Sequence, residues 1–456
     1  MAAFTRLKTF WKGTFVRAVG VLAGGTAVAQ AVAFLALPLI TRLYTPHDFS
    51  ILAVYAAILG IISVIACLRL EIAIPIPEDD RDATGLLVIA VASVFGISLL
   101  TVAVVGLFGS EVIKLLDQPG LGPYLWLLPV GIIFSGLYNA FQFWATRKKQ
   151  FSAVAKTNMV QTSAGTATQI GMGLFSNGPL GLLLGQIISG GAGAISLGKL
   201  ALKGTKPLIS PISLSDLKRL WRAYERFPKY STIEALANSA AIQLPIIIIA
   251  AMAAGPEAGF LMLAIRVMQA PIALIGGAVG QVYLSHAPQE YRAGRLKPFT
   301  LRTFGGLTSA GVGPMMFIGV IAPQAFGLVF GSEWIRAGQL VAWITPWIIM
   351  QFLASSISMA LHITNNQFWA MRLQVFGLAL RAGMVWLAAL LAPGVIAETY
   401  AIAGFLFYVV YLFIVGKTME IKPVEFIQHI SKCWRGIAAW LFAAGLMHIF
   451  FLTMQF

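Results

Sequence analysis

The sequence predicts an all-α, polytopic membrane protein of 12–13 transmembrane helices. Three observations predict it. Hydrophobic residues make up 58% of the 456 residues and charged residues 11%, with a mean hydropathy of +0.83; soluble domains carry about 25% charged residues. Apolar stretches near the roughly 20 residues that a bilayer core requires recur almost end to end. Nearly all Lys and Arg fall between alternate pairs of these stretches, as basic loops do on a cytoplasmic face.

The first span is expected at 16–40, closing at Thr41-Arg42-Leu43-Tyr44-Thr45-Pro46. Arg6, Lys8 and Lys12 before it resemble a signal peptide, but the apolar run is long and no clear cleavage site follows, so the reading is an uncleaved span. The second is expected at 50–74, before the acidic turn Glu78-Asp79-Asp80-Arg81-Asp82, and the third at 84–108. The fourth, 123–144, ends at Arg147-Lys148-Lys149. The fifth and sixth form a hairpin through Asn177-Gly178-Pro179, and the seventh and eighth another through Gly255-Pro256-Glu257. Four more follow at 303–329, 339–361, 370–391 and 397–415. A thirteenth, 436–455, has His448 as its only ionisable side chain. With the N-terminus inside, about 27 of the 32 Lys and Arg fall on the inner side and Arg42, Lys114 and Arg336 outside, leaving Arg266 and Arg381 within spans.

The longest polar interval, 199–229, divides the chain near its middle. Ser213-Leu214-Ser215-Asp216 has capping-box spacing. Leu214, Leu217, Trp221 and Tyr224 then recur at helical spacing opposite basic residues, which predicts an amphipathic surface helix. The division is therefore 1–200, an N-terminal six-helix lobe; 201–229, a cytoplasmic linker with the surface helix; 230–416, a C-terminal six-helix lobe; and 417–456, a cytoplasmic segment with the extra span. A six-plus-six arrangement with a long central loop is a common transporter architecture. A faint repeat relates the halves: Leu37-Pro38 and Thr45-Pro46 find counterparts in Leu244-Pro245 and Gly255-Pro256. Gly181, Gly185, Ser189 and Gly193 form a smooth ridge for close helix packing, as do Gly276 and Gly280.

The net charge of +15 would point to nucleic acid in a soluble protein. Here the basic residues are spread over short loops on one face, so membrane lipids are the expected neighbours and nucleic acid is not. Cys67 and Cys433 form no CxxC and no framework. HExxH, GxSxG, P-loop and Rossmann patterns are absent, so no catalytic residue, metal or cofactor is expected. The Asp79–Asp82 cluster reads as a solvated acidic turn.

Function is carried by polar groups at membrane depth. An arginine there costs about 2.5–3.5 kcal/mol and usually faces a cavity. Arg266 lies eight residues from its span's outer end, about 12 Å deep at the helical rise. Arg381 is near the centre of its span, and Arg69 lies near an inner end with Glu71, two apart and so on different helix faces. Only two carboxylates, Glu71 and Glu234, are expected within or near spans, both shallow, as candidates for a coupling or structural acid. Deep arginines without a deep acid point to an anionic cargo. Gln30, Asn139, Gln243 and Gln281 are candidate sugar contacts, though any one amide equally serves an interhelical hydrogen bond.

The stretch Gly24-Gly25-Thr26-Ala27 with Gln30, then Pro38 through Phe49, resembles the start of bacterial polysaccharide (O-antigen type) flippases. Leu68-Arg69-Leu70-Glu71-Ile72-Ala73-Ile74-Pro75, Tyr224 through Ser231, and Ala264-Ile265-Arg266-Val267 to Gly280-Gln281-Val282 are similar too. That family belongs to the multidrug/oligosaccharidyl-lipid/polysaccharide exporter superfamily. The resemblance implies two six-helix lobes in a V around a central cavity, rocking between inward- and outward-open states. It implies a polyprenyl-diphosphate-linked oligosaccharide as cargo in a bacterial inner membrane, for O-antigen or exopolysaccharide assembly, with other polysaccharide-assembly membrane proteins as partners. It places diphosphate contact on Arg266 best, and on Arg42 and Arg69 more loosely. Arg381, from its depth in a span, is the next candidate should Arg266 not carry it. The thirteenth span departs from a twelve-helix pattern. A small-molecule or drug antiporter of the same superfamily, and a membrane glycan polymerase, are the alternatives; the second normally needs a long outer loop, and none is visible.

Overall fold

The computed structural model describes residues 14–175, 178–209, 212–253, 255–364 and 366–454, and among them the chain is helical with no strand. The basic N-terminal residues and Asn177 lie outside the described residues. The helices are α1 (Thr14–Leu43), α2 (Pro46–Ile65), α3 (Asp80–Leu116), α4 (Leu127–Arg147), α5 (Phe151–Phe175), α6 (Leu180–Gly191), α7 (Gly193–Ile209), α8 (Leu214–Ala223) and α9 (Thr232–Met252). After them come α10 (Glu257–Pro271), α11 (Gly277–Arg292), α12 (Leu296–Leu307), α13 (Gly313–Phe330), α14 (Ile335–Ser356), α15 (Gln367–Leu391), α16 (Ile396–Thr418), α17 (Pro423–Lys432) and α18 (Trp434–Met454).

Among the described residues, 10 helices are long and apolar enough to cross a membrane, the last being Trp434–Phe451. The first expected span lies in the 30-residue helix α1, whose stretch Val28–Leu43 is apolar. The fifth, α5, is diluted by Lys156, Asn158, Gln161 and four threonines. The eighth runs from α10 through a π-helical turn, Ile272–Gly276, into α11 without leaving helical backbone.

The chain divides into two compact units. Unit 1 comprises 1–36 and 55–239, and unit 2 comprises 37–54 and 240–456. The division cuts α1 and α2, so the stretch 37–54 belongs with the C-terminal half.

In unit 1 the expected glycine ridge is used. The backbone of α5 at Gly165 approaches α6 at Gly185 so closely that a methyl group on either glycine would strike the other helix. Such contact replaces hydrophobic driving force, which is weak between helices in lipid. Gln161 on α5 accepts a bond from the Gly193 N–H (3.0 Å) and donates to Asn158 (3.2 Å). Tyr138, Val154, Ala194 and Leu197 form the adjoining core.

The surface helix α8 is present, with its capping box between Ser213 and Asp216. Its packing face differs from expectation. Leu214 is 85% exposed and Leu220 is buried, because Gly85 on α3 leaves room for the Leu220 side chain. The acidic turn is a fastening rather than a free solvated loop. Asp79 caps α3, Asp80 pairs with Arg147 and Lys148, Arg81 with Asp216 (2.9 Å), and Asp82 with Arg219 (2.6 Å). The Ser213 cap bonds, and then Arg81, hold the Asp216 carboxyl below the usual carboxylate range.

In unit 2, Trp334 is buried between Phe49 (4.8 Å between ring centroids) and Phe260 (6.0 Å) and donates its indole N–H to the Thr41 carbonyl (3.0 Å). A side chain at Gly259 would run into the Pro46 carbonyl, so only glycine permits this contact of α10 with the start of α2. Arg336 bridges Glu257 (2.9 Å) and Glu398 (2.6 Å), tying α14 to α10 and α16. Helix α17 docks through Phe426 on Phe304 and a Lys297–Glu425 pair (2.9 Å), which draws the Glu425 carboxyl down. Helix α18 packs along α13, with Trp440 over Gly313, and leaves most of its apolar surface exposed.

Candidate functional site

The second span does not reach 74. Helix α2 ends at Ile65, and Ala66 to Leu70 close successive tight turns in which Leu68 (φ 51°) and Arg69 (φ 60°) both adopt the left-handed conformation. Two adjacent side-chain-bearing residues in this region cost about 1–3 kcal/mol each, and such strain concentrates at functional sites. A short 3₁₀ turn, Leu70–Ala73, follows and is buried at Leu70, Glu71 and Ala73.

This break overturns the expectation that Arg69 and Glu71 point apart. Off the helix they meet: Arg69 Nη1 lies 3.4 Å from Glu71 Oε1. The Glu71 residue is 4% exposed, whereas the Arg69 side chain keeps 30% of its surface open. The pair is incompletely satisfied, since Arg69 Nε and Glu71 Oε2 are buried without partners. Burial pushes the Glu71 carboxyl up, partly offset by a backbone bond and by Arg69. The 3₁₀ turn packs against the π-helical turn Phe227–Ser231, so two stretches that carry the family resemblance adjoin within unit 1. Chemically, this is a guanidinium tethered on one side by a buried acid and open on the other, suited to fork-like binding of a phosphate oxygen.

Arg147, read from sequence only as a loop charge, supports this region. Its guanidinium donates to the carbonyls of Ile74, Pro75, Pro77 and Glu78 and to Asp80. Pro75 and Pro77 lack N–H groups and break any regular ladder, so these carbonyls depend on a side chain with several donors. That proline spacing was the available signal.

The other predicted residues are dispersed. Arg266 is in α10, half-buried and not an isolated charge. Arg42 in unit 2 donates to the Leu328 carbonyl (3.3 Å) near the end of α13. Gln30 is exposed on α1, Asn139 half-buried on α4, and Gln243 half-buried on α9. Glu234 is exposed in the first turn of α9. Gln281 lies in α11, and its side chain is outside the described residues. The expected pair of carboxylates near spans is too few: Asp48 and Glu398 are each 8% exposed within span-length helices. Asp48 caps the start of α2 through Thr45, and Glu398 is held by Arg336. Among the described residues no group of three acidic, histidine or cysteine side chains is placed to hold a metal.

Arg381 contrasts with all of these. It is 4% exposed on α15, with its guanidinium 4.2 Å over the Phe407 ring and facing the Tyr400 hydroxyl. Gly377, one turn earlier, makes room: a side chain there would press on Phe407 and Arg381 Nη2. The Arg381 Nε has no acceptor, and the nearby Trp347 indole N–H, whose ring packs on Tyr400 at 4.9 Å, has none either. None of the ion pairs among the described residues includes Arg381. A desolvated cation–π contact is worth about 2 kcal/mol, less than the several kcal/mol that burying an ion costs.

A family profile described as "polysaccharide biosynthesis protein" matches residues 39–339, which contain Arg42, Arg69, Glu71 and Arg266. A solved structure of the lipid II flippase MurJ in an inward closed conformation is similar at a TM-score of 0.72 and 12% identity, covering 95% of this chain and 98% of that one. An inward-facing multidrug resistance MATE family transporter of the MOP superfamily is similar at a TM-score of 0.55 and 15% identity, covering 90% and 96%. At these identities the likeness establishes a shared transporter fold. No curated protein matches the sequence significantly.

Proposed function

This chain belongs to the polysaccharide biosynthesis protein family, and we propose that it carries a polyprenyl-diphosphate-linked oligosaccharide across a bacterial cytoplasmic membrane by alternating access. In this reading the N-terminus and the basic loops are cytoplasmic. Two six-helix lobes, 1–200 and 230–416, are joined by 201–229 and followed by 417–456. The glycan takes a polar path across the membrane while the lipid tail stays in the bilayer. Other polysaccharide-assembly membrane proteins supply and receive it.

The observation that carries the reading is Arg266. It is a guanidinium deep in a predicted span, half-buried, and a turn before the π-helical stretch Ile272–Gly276 of the same run of helix. Arg69 supplies the second basic contact from its strained turn. Arg42 is engaged with a backbone carbonyl and Arg381 is enclosed, so neither is assigned to the diphosphate here. Gln30, Asn139 and Gln243 are retained as sugar contacts. In cells lacking the chromosomal copy, Arg266→Ala abolishes glycan export at near-normal protein abundance, and Arg266→Lys keeps part of it, since charge survives without the fork. Normal export by Arg266→Ala rejects this assignment.

The cargo's two charges move from a negative inside to a positive outside, a gain of roughly 4.6 kcal/mol per 100 mV. Membrane potential therefore assists the loaded step, and liposome flipping that ignores the sign of a potassium diffusion potential rejects this coupling. One observation favours the antiporter alternative: Glu71 is a buried acid with a bare oxygen, as a carried proton requires. Drug efflux that is lost in Glu71→Gln without any glycan defect would select that reading.

A further inference from the structure

The cluster around Arg381 has an unmet need that its own residues do not supply. Arg381, which bonds Tyr400, keeps a buried Nε without an acceptor, and so does the indole N–H of Trp347, whose ring packs on Tyr400; one of the two belongs to a full charge. A water molecule satisfies donors but leaves the charge unbalanced. The Phe407 face offsets only part of it.

We propose that Arg381, with Trp347 as second donor, forms a dehydrated binding site in unit 2 for a small monovalent anion of halide size. Enclosure sets the size: Arg381 is 4% and Trp347 5% exposed, which leaves no passage for a sugar or a diphosphate. Charge sets the valence, since one guanidinium is balanced by one negative charge. The site is independent of the cargo reading, because it lies within one unit and is tested without cargo.

The test is thermal unfolding of the purified full-length chain in detergent, titrated with sodium chloride or bromide against sodium gluconate at matched ionic strength. The proposal expects a saturable rise of Tm with halide and none with gluconate. Trp347→Phe removes one charge-assisted bond and raises the half-saturating halide concentration about tenfold. Arg381→Met abolishes the response, whereas Arg302→Met, an exposed arginine on α12, leaves it intact. Bromide anomalous scattering then peaks beside the Arg381 guanidinium. Equal Tm values in chloride and gluconate overturn the proposal, as does an undiminished halide response in Arg381→Met. If Arg381→Met does not fold, an unchanged half-saturating concentration in Trp347→Phe overturns it as well.

Discussion

Arg69 and Arg381 balance a guanidinium in opposite ways. Arg69 sits in a strained turn, half open, against a buried carboxylate. Arg381 sits in a regular helix, sealed, against an aromatic face, and no ion pair among the described residues includes it. Charge neutrality is thus built in at Arg69 and missing at Arg381. An arginine with its own counter-charge can present its free edge to a transient ligand; one without a counter-charge holds whatever neutralises it.

The largest expected difference follows from removing each charge. Arg69→Met strands Glu71 as a buried, unpaired acid and should cost about 3–5 kcal/mol at neutral pH, read by thermal unfolding in detergent. Adding Glu71→Gln should recover most of the loss, and an unchanged Tm in the single variant would break the contrast. The acid itself gives the next effect. Because burial raises the Glu71 carboxyl, its protonated form favours folding: the benefit is full below the unfolded value near 4.3 and is lost as pH rises through the raised native value. Relative to Glu71→Gln, the parent should lose stability over that rise, with a slope of at most about 1.4 kcal/mol per pH step of one. A constant difference would show that Glu71 does not titrate there.

Arg381→Met should be gentler than Arg69→Met. Replacing a buried charge by an apolar chain of similar length is often neutral or stabilising, so in gluconate the variant should unfold within about 1 kcal/mol of the parent or above it. A loss as large as that of Arg69→Met would mean that an unrecognised partner balances Arg381. The smallest effect belongs to α8. Asp216→Asn should speed amide exchange across 214–223 with little change in global Tm. The parent should behave the same way in acid: the fastening is present above the ordinary carboxylate range and is lost as pH falls through the lowered Asp216 value. Slow exchange in both would assign the docking to Leu220 alone.

What the sequence disclosed was local or periodic. The spans, the Ser213–Asp216 box and the Gly185 ridge each lie within one helical repeat, so spacing alone placed them. The break after Ile65 was hidden because Leu68 and Arg69 carry none of the Gly or Pro signs of a turn, while Leu70, Ile72 and Ile74 extend the apolar pattern to Pro75. The Arg42 partner is a backbone carbonyl 286 residues away, to which side-chain type gives no clue. The Arg381 setting depends on Phe407 and Tyr400 across a neighbouring helix, which no single stretch records.

The bond from Trp334 to Thr41 joins residues 293 apart in the chain. At about 5–20 residues per second, a ribosome delivers the tryptophan roughly 15–60 s after the threonine. Throughout that interval Phe49 lacks the Trp334 ring, and until α10 is made the Pro46 backbone has no Gly259 against it. The hairpin of α1 and α2 is therefore an unfinished half of a later partner. Its early safekeeping falls to lipid or to the insertion machinery, and a ribosome stalled near the chain's midpoint would release a product whose outermost hairpin has nothing to close against.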